Sequence, residues 1–376
     1  MQIDFLSVLI VVVSLVVLAV PGFLLVKGKL LSESSAGAIS TIVLYGCQPL
    51  LVFMSFQETY SASIAINILF VALLATVVHF AMFGLVALLF PNKNDDRKVR
   101  IVKYASCFSN CGFMGIPFLQ MLFADTPYAG EIIIYAAVVI SIFNILNWTF
   151  GVYMITKDKS KVSLKKVLLN PTIIAVVIGA LFFFIIKQPI AQLAEKGSVL
   201  ENALSKIMGS LDQVGNMVTP LSMFVIGMRL ANVKVKQLFL DKWAYVVCVM
   251  KLAVMSCISV LLVVFLPVSV VVKYVIFFLF SMPSATSSAL FAVKFNGDSE
   301  SASIFVLLST INCRYILNSL FSKPFKMDSV ISFSIFITLS DATDPNPSDI
   351  NTVLFSELYI KSAVVNEIFF NEKFLV

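Results

Sequence analysis

Charged side chains are scarce in this sequence. Only 13% of the 376 residues are Asp, Glu, Lys or Arg, whereas 59% are hydrophobic, and the mean hydropathy is +0.98. A soluble domain has too little interior to bury that much apolar surface. The composition therefore excludes a soluble protein and predicts an all-α polytopic membrane protein whose surroundings are the lipid bilayer. We expect no nucleic-acid partner.

Residues that carry catalysis or bind metals are equally sparse. The chain has one histidine, His79, and contains neither a G-x-S-x-G nor an H-E-x-x-H motif. Its six cysteines all fall in apolar runs, which is not the pattern of a secreted disulfide framework. Cys107 and Cys111 share a helix face, but no His or carboxylate lies close to them in sequence. We therefore predict no catalytic residue, no metal site and no cofactor.

Apolar runs divide the chain into about ten predicted transmembrane helices. Most of them reach the ~20 residues that a helix needs to cross a bilayer. The predicted spans are residues 5–26, 36–56, 64–90, 101–123, 132–155, 168–186, 208–230, 243–266, 271–293 and 304–320. An amphipathic interfacial helix is predicted over residues 189–206, ahead of the seventh span. The first run is too long for a signal-peptide core and is predicted to stay in the protein.

The fourth run contains a stretch that is poor helix material. Asn110, Gly112, Gly115 and Pro117 follow one another within residues 106–123. Glycine loosens the backbone, and proline removes an amide donor and clashes with the preceding turn. One interpretation is a simple proline kink. The other is a discontinuous helix, which marks the binding site in many secondary transporters.

Basic residues predict the orientation of the chain. Counted with the adjoining span ends, the loops after spans 1, 3, 5, 7 and 9 hold 17 Lys and Arg residues. The N-terminal segment and the other loops hold 4. Because basic loops stay in the cytoplasm, we expect a multi-pass protein of the cytoplasmic membrane with both termini outside.

The order of spans suggests two halves. Residues 1–155 would form a first five-helix repeat, 156–167 a basic cytoplasmic linker, 168–322 a second repeat and 323–376 a divergent C-terminal tail. An odd number of spans per repeat forces the halves into opposite orientations. Pro49 and Pro220 lie 171 residues apart, and Pro117 and Pro283 lie 166 apart. This similar offset favours an inverted repeat over chance alignment of prolines.

Four groups of residues resemble motifs of the auxin efflux carrier family, which includes plant auxin exporters and bacterial malate-type permeases. The groups are Phe108-Ser109-Asn110 with Gly112 and Gly115-Ile116-Pro117; Asn170-Pro171-Thr172 with Gly179; Pro220-Leu221 with Gly227-Met228-Arg229; and Pro283-Ser284-Ala285 with Phe295, Asp298 and Ser309-Thr310. The resemblance covers roughly residues 5–311. It implies ten helices in two inverted five-helix repeats, with a substrate site where the broken helices 4 and 9 cross.

The predicted substrate site follows from this crossing. Free amides and positive helix ends, with Pro117 and Pro283 as the first residues of the second half-helices, would hold a carboxylate without a buried charge. Ser284, Thr286 and Asn110 add neutral donors. Asp and Glu are absent from the middle of every predicted span, which argues against a cation or proton antiporter. The predicted substrate-binding residues are Asn110, Gly112, Gly115, Pro117, Pro283, Ser284 and Thr286.

Four further residues have a functional and a structural interpretation. His79 is either a proton-coupling group or a hydrogen-bonded packing residue. Lys251 either attracts anions or, as we favour here, snorkels toward the cytoplasmic side. Asn144 and Asn147 share a helix face and either line the site or join helices.

The sequence thus predicts a secondary transporter that moves a small organic anion by alternating access. The alternative is a non-transporting receptor or scaffold, or an inactive carrier with a disrupted last helix, because the resemblance stops after Ile311. Arg314 would be costly inside a span. The tail beyond it has two explanations, a changed reading frame or natural divergence. A homodimer is left open.

Overall fold

The computed structural model describes residues 5–320, except residues 33, 92–95, 232–239 and 265. The described residues are helical, joined by turns, and contain one isolated β-bridge, between Ser109 and Ser284. The principal helices are α1 (Phe5–Lys27), α2 (Ser35–Ser55), α3 (Ala62–Leu89), α4 (Arg97–Cys107), α5 (Cys111–Leu122), α6 (Ala129–Thr156), α7 (Pro171–Leu181), α8 (Val199–Asn216), α9 (Val218–Leu230), α10 (Lys242–Val264), α11 (Val270–Ser281), α12 (Ser287–Lys294) and α13 (Ser299–Leu320). The predicted tail, residues 323–376, and the side chain of Arg314 lie outside the described residues.

Within the part of the chain that the structure describes, six helical segments are long and apolar enough to cross a membrane. They begin at Ile10, Ser35, Ala62, Ala129, Pro171 and Lys242 and are 18 to 28 residues long. Two shorter apolar helices, α5 and α11, accompany them. The prediction of an all-helical, multi-pass membrane protein is confirmed at this level.

The fourth and ninth predicted spans are each divided into two helices. Helix α4 ends at Cys107 and α5 begins at Cys111, with Phe108 in an extended conformation between them. Helix α11 ends at Ser281 and α12 begins at Ser287. The simple proline kink is therefore wrong for the fourth span, because three residues leave the helix before it resumes.

The amphipathic helix is displaced from its predicted position. It was predicted over residues 189–206, but α8 spans Val199–Asn216. Ser198 sets the start: its Oγ accepts from the Glu201 backbone N–H at 3.1 Å, while the Glu201 carboxylate accepts from the Gly197 N–H. This serine and the glutamate three residues later form a helix-start signal resembling a capping box, which the sequence analysis missed.

Small residues allow α1 and α9 to touch through their backbones. A Cβ atom added at Gly227 would lie 1.9 Å from the Ala19 carbonyl oxygen, and one at Gly22 would lie 2.2 Å from the Phe224 carbonyl oxygen. Close approach through small residues is typical of helix pairs in membranes. Helix α2 packs against α7 and α8.

Contacts between loops define two ends of the helical bundle. At one end, the basic end, Lys27 Nζ donates to the Ala231 carbonyl at 3.0 Å, and Lys98 Nζ lies 2.8 Å from Asp241 Oδ2. At the opposite end, the Tyr60 N–H donates to the Lys187 carbonyl at 3.0 Å. Loops that follow odd-numbered predicted spans thus meet one another.

Candidate functional site

The two broken helices cross at their interruptions. The Asn110 N–H donates to the Pro283 carbonyl at 2.8 Å, and the Ala285 N–H donates to the Phe108 carbonyl at 2.9 Å. These two bonds flank Ser109 and Ser284, which face each other as an antiparallel pair. Both serines are fully buried. The extended segments satisfy part of each other's backbone, which is the condition for non-helical chain inside a membrane protein.

Asn110 stands at the start of the second half of the fourth span. It is 3% exposed, and its carbonyl accepts from the N–H groups of Met114 at 3.2 Å and Gly115 at 3.0 Å. Its side chain does not cap the helix, and the Nδ2 atom has no hydrogen-bond partner among the described residues. A buried amide donor without a partner costs free energy, so this atom is available to a ligand.

The two prolines occupy different positions, which corrects the prediction that each begins a half-helix. Pro117 is the second residue of the α-helical part Ile116–Leu122, but the half-helix itself begins earlier, with the π-helical turn Cys111–Gly115. Pro283 lies in the extended segment before α12, and its carbonyl accepts the Asn110 N–H. The residues at matching places are Ser109 and Ser284, because the backbone hydrogen bonds of the crossing fix the register and the prolines do not.

The remaining predicted donors differ in availability. Ser284 Oγ donates to the Ala105 carbonyl at 2.8 Å, and the Ser284 N–H donates to Ser309 Oγ at 3.1 Å. Thr286 stands at the start of α12, is 5% exposed and makes no side-chain capping bond. Ser284 therefore stabilises the crossing through its own hydrogen bonds. Thr286 lies at the N-terminus of α12, and its side chain makes no capping bond there.

The two glycines of the fourth span have unlike neighbours. A Cβ atom at Gly115 would lie 2.5 Å from Leu279 Cδ2, so this glycine permits close packing on α11. A Cβ atom at Gly112 would lie 3.3 Å from the side-chain nitrogen of Gln48. Gln48 is 3% exposed and directly precedes Pro49, and it is not among the site residues predicted from the sequence.

Lys251 lies at the crossing. Its side chain is fully buried, and Nζ donates to the Phe280 carbonyl at 3.0 Å and to the Ser109 hydroxyl. The favoured interpretation that Lys251 snorkels to the cytoplasmic side is wrong. The π-helical turn Val249–Val254 contains Lys251, and the lysine ammonium contacts residues of both broken helices.

His79 is buried close to the same crossing. Its Nδ1 lies 2.7 Å from the Ala75 carbonyl, so Nδ1 carries the proton and Nε2 is left as an acceptor. Nε2 has no hydrogen-bond partner among the described residues. The ring centroid lies 5.0 Å from that of Phe280 and 5.9 Å from that of Phe108.

A second polar cluster joins the fifth span to both broken helices. Tyr104 donates its hydroxyl proton to Asn147 Oδ1, and its oxygen lies 2.9 Å from Ser287 Oγ. A Cβ atom at Gly151 would lie 2.8 Å from the Tyr104 ring, so glycine makes room for this contact. Asn147 is 3% exposed, whereas Asn144 is only half-buried. The two asparagines therefore have different surroundings despite their shared face.

Among the described residues, no group of three or more His, Cys, Asp or Glu side chains is placed to hold an ion. The donors gathered at the crossing are hydroxyl, amide, carbonyl and ammonium groups. This chemistry suits binding of a polar small molecule.

Comparison with known protein families gives a clear result. A family model described as "Membrane transport protein" matches residues 7–320. No match was found among the curated proteins. The matched region contains the crossing and all the predicted site residues. With its apolar helices and with most of its length matched, the chain belongs to this family of membrane transport proteins, the auxin efflux carrier family.

Proposed function

We propose that this membrane transporter moves a small organic anion, such as a carboxylate, across the cytoplasmic membrane by alternating access. The observation that carries the proposal is the charge of the buried residues. Among the described residues no Asp or Glu is buried, whereas Lys103 and Lys251 are. A carrier that moves a cation or a proton usually has a buried carboxylate that binds it inside the membrane. A buried lysine beside the crossing favours an anion.

The half-helix ends add to this preference. Helix α5, 12 residues long with its π-helical turn, and helix α12 each begin near the crossing. The N-terminus of a helix carries a partial positive charge and free N–H groups, which suit a carboxylate. Asn110 Nδ2 and Thr286 stand at these two ends. We assign them the role of direct donors to the substrate.

Helix packing supports two inverted repeats of five helices, residues 1–155 and 168–322, joined by the basic linker 156–167. Under this arrangement span 1 corresponds to span 6, and span 2 to span 7. The packing of α1 on α9 then corresponds to that of α7 on α2, and both contacts are present. Likewise α3 packs on α6, and α10 on α13. Two halves related in this way offer the crossing to each side in turn.

The basic end is assigned to the cytoplasm, and both termini to the outside. This orientation rests on the 17-to-4 distribution of Lys and Arg. Exposed lysines of the linker, Lys159, Lys161 and Lys165, lie at that end. Loops after odd-numbered spans contact one another there, as alternating membrane crossings require in either orientation.

The function is tested with purified protein in vesicles. Thermal shift identifies ligands first, because a compound that binds the native state raises its apparent stability; malate and other small carboxylates come before indole-type acids. Radiolabelled uptake and counterflow of the best ligand follow. A carrier saturates and shows counterflow. Binding without flux would instead indicate a receptor or scaffold, and binding of none of the acids would remove the anion assignment.

A further inference from the structure

The ammonium of Lys251 is held by a specific set of acceptors. Nζ contacts Ser109 Oγ from the fourth span, the Phe280 carbonyl at 3.0 Å from the ninth, and Met255 Sδ at 2.8 Å from its own helix. Ser109 Oγ also lies 3.4 Å from the Phe280 carbonyl, to which it can donate its own proton. The side chain of Lys251 is 0% exposed. One atom therefore connects α10 to both broken helices.

All three contacts are made with acceptors, which matches the charged form of lysine. An ammonium group has three donors and no acceptor. Phe280 belongs to the last turn of α11, which ends at Ser281. The last carbonyls of a helix carry partial negative charge and lack intrahelical partners. A positive charge at this place therefore compensates the end of α11.

A hydroxyl and a free backbone carbonyl are also ligands that an inorganic cation accepts. We propose that Lys251 Nζ is a tethered cation that occupies a monovalent-cation site formed by Ser109 Oγ and the Phe280 carbonyl. The site needs no bound Na⁺ or K⁺ while the lysine fills it. Lys251 is thus a positioning residue for the crossing, and removing its side chain should create a site for a free cation.

This inference rests on the proposed function only in its consequence for transport. If the protein carries anions, the tethered charge makes the crossing ready for them without a bound inorganic cation. The cation site itself follows from the contacts of Lys251. Its test therefore uses protein without substrate, so that failure of the anion assignment and failure of the cation site are seen separately.

The experiment compares the thermal stability of wild type and Lys251→Ala in chloride salts of ammonium, methylammonium, sodium, potassium and choline at constant ionic strength. The wild type should unfold at the same temperature in all five. In choline chloride, Lys251→Ala should unfold at a lower temperature than the wild type. Ammonium or sodium should raise its unfolding temperature saturably, by roughly 3 °C or more. The double variant Lys251→Ala with Ser109→Ala should lose most of this recovery, since one oxygen ligand is gone.

Two further variants separate charge from bulk. Lys273→Ala, on α11, should show no salt-specific recovery. Lys251→Met fills the space without a charge and should be less stable than Lys251→Ala in ammonium chloride. The proposal is overturned if sodium or potassium specifically stabilises the wild type, if no cation rescues folded Lys251→Ala, or if Lys251→Met is the more stable of the two.

Discussion

At the scale of the residue, the crossing combines satisfied and unsatisfied polar groups. Ser284 is bonded through both its hydroxyl and its N–H, and it supports the backbone. Asn110 uses its backbone in the crossing but leaves Nδ2 without a partner among the described residues. Polar groups that are hydrogen-bonded within the protein fix the geometry of the crossing, and polar groups without such a bond can bind a ligand. Ser284 belongs to the first kind, and the side chain of Asn110 to the second.

Replacing Asn110 tests the role of its free amide. Asn110→Ala should weaken malate binding by roughly tenfold or more, since loss of such a partner typically costs ~1–3 kcal/mol. Thermal stability without ligand should change little, because Nδ2 makes no internal bond. Asn110→Asp, nearly the same size, should weaken binding further by repelling the carboxylate. Titration of folded protein measures the affinity; a loss of folded protein with unchanged affinity would assign Asn110 to the structure alone.

Replacing Tyr104 tests the second polar cluster. Tyr104→Phe removes the donor to Asn147 Oδ1 and the contact with Ser287 Oγ. Leaving buried partners unsatisfied should lower the stability by about 1–3 kcal/mol. Tyr153→Phe, at an exposed tyrosine of helix α6, is the control and should have little effect. Thermal unfolding of both variants measures the difference in stability. Equal unfolding temperatures of the two variants would show that the cluster does not stabilise the protein.

At the scale of the element, close helix contacts join segments that are far apart in the chain. Helices α1 and α9 meet where Gly22 and Gly227 leave no room for a side chain. Dispersion contacts stabilise such an interface, because the hydrophobic effect contributes little to the association of helices in lipid. These two glycines therefore matter because they lack a side chain, which lets the helix backbones approach closely, and not because their own backbone is flexible.

A methyl group at this interface should separate the helices. Gly227→Ala places Cβ 1.9 Å from the Ala19 carbonyl oxygen, which is backbone and cannot rotate away. Overpacking of this kind costs typically ~1–3 kcal/mol. Gly84→Ala in α3 meets nothing within 4 Å and should leave stability unchanged or slightly raised. Thermal unfolding of both variants in one detergent checks this; a stable Gly227→Ala would refute the tight contact.

At the scale of the whole molecule, the bundle has two ends of different charge. Lysines gather at the end that contains the linker, and the loop from Phe56 to Ser61 lies at the opposite end beside Lys187. In a membrane this difference predicts a single orientation. Four of the cysteines whose side chains the structure describes, Cys47, Cys107, Cys111 and Cys248, are buried. Labelling of an introduced cysteine is therefore compared with labelling of the unaltered protein.

Labelling from one side of the membrane tests the orientation. Ser160→Cys, at an exposed position of the basic linker, should react with an impermeant thiol reagent only after cells are opened. Thr59→Cys, exposed at the opposite end, should react in intact cells. The reverse labelling pattern would show that the protein has the opposite orientation in the membrane. Reaction of both cysteines from outside would show that the assignment of the spans is wrong.

Hydropathy and a few glycines and prolines were enough to predict much of this protein. The membrane class follows from the apolar runs, because a span is a local property of about 20 residues. The break in the fourth span follows from Gly112, Gly115 and Pro117, which weaken one turn of helix. The motifs around Asn110 and Pro283 predicted the family, and the match over residues 7–320 confirms it.

The contacts between distant residues were decided only by the tertiary structure. Lys251 and Ser109 are 142 residues apart in the chain, and Tyr104 and Ser287 are 183 apart. No local pattern says which polar side chains meet, so Lys251 was expected at a surface and Gln48 was not considered. The register in which the two extended segments pair could not be predicted from the sequence either. Proline restricts its own backbone, but the bonds from Asn110 to Pro283 and from Ala285 to Phe108 align the two segments.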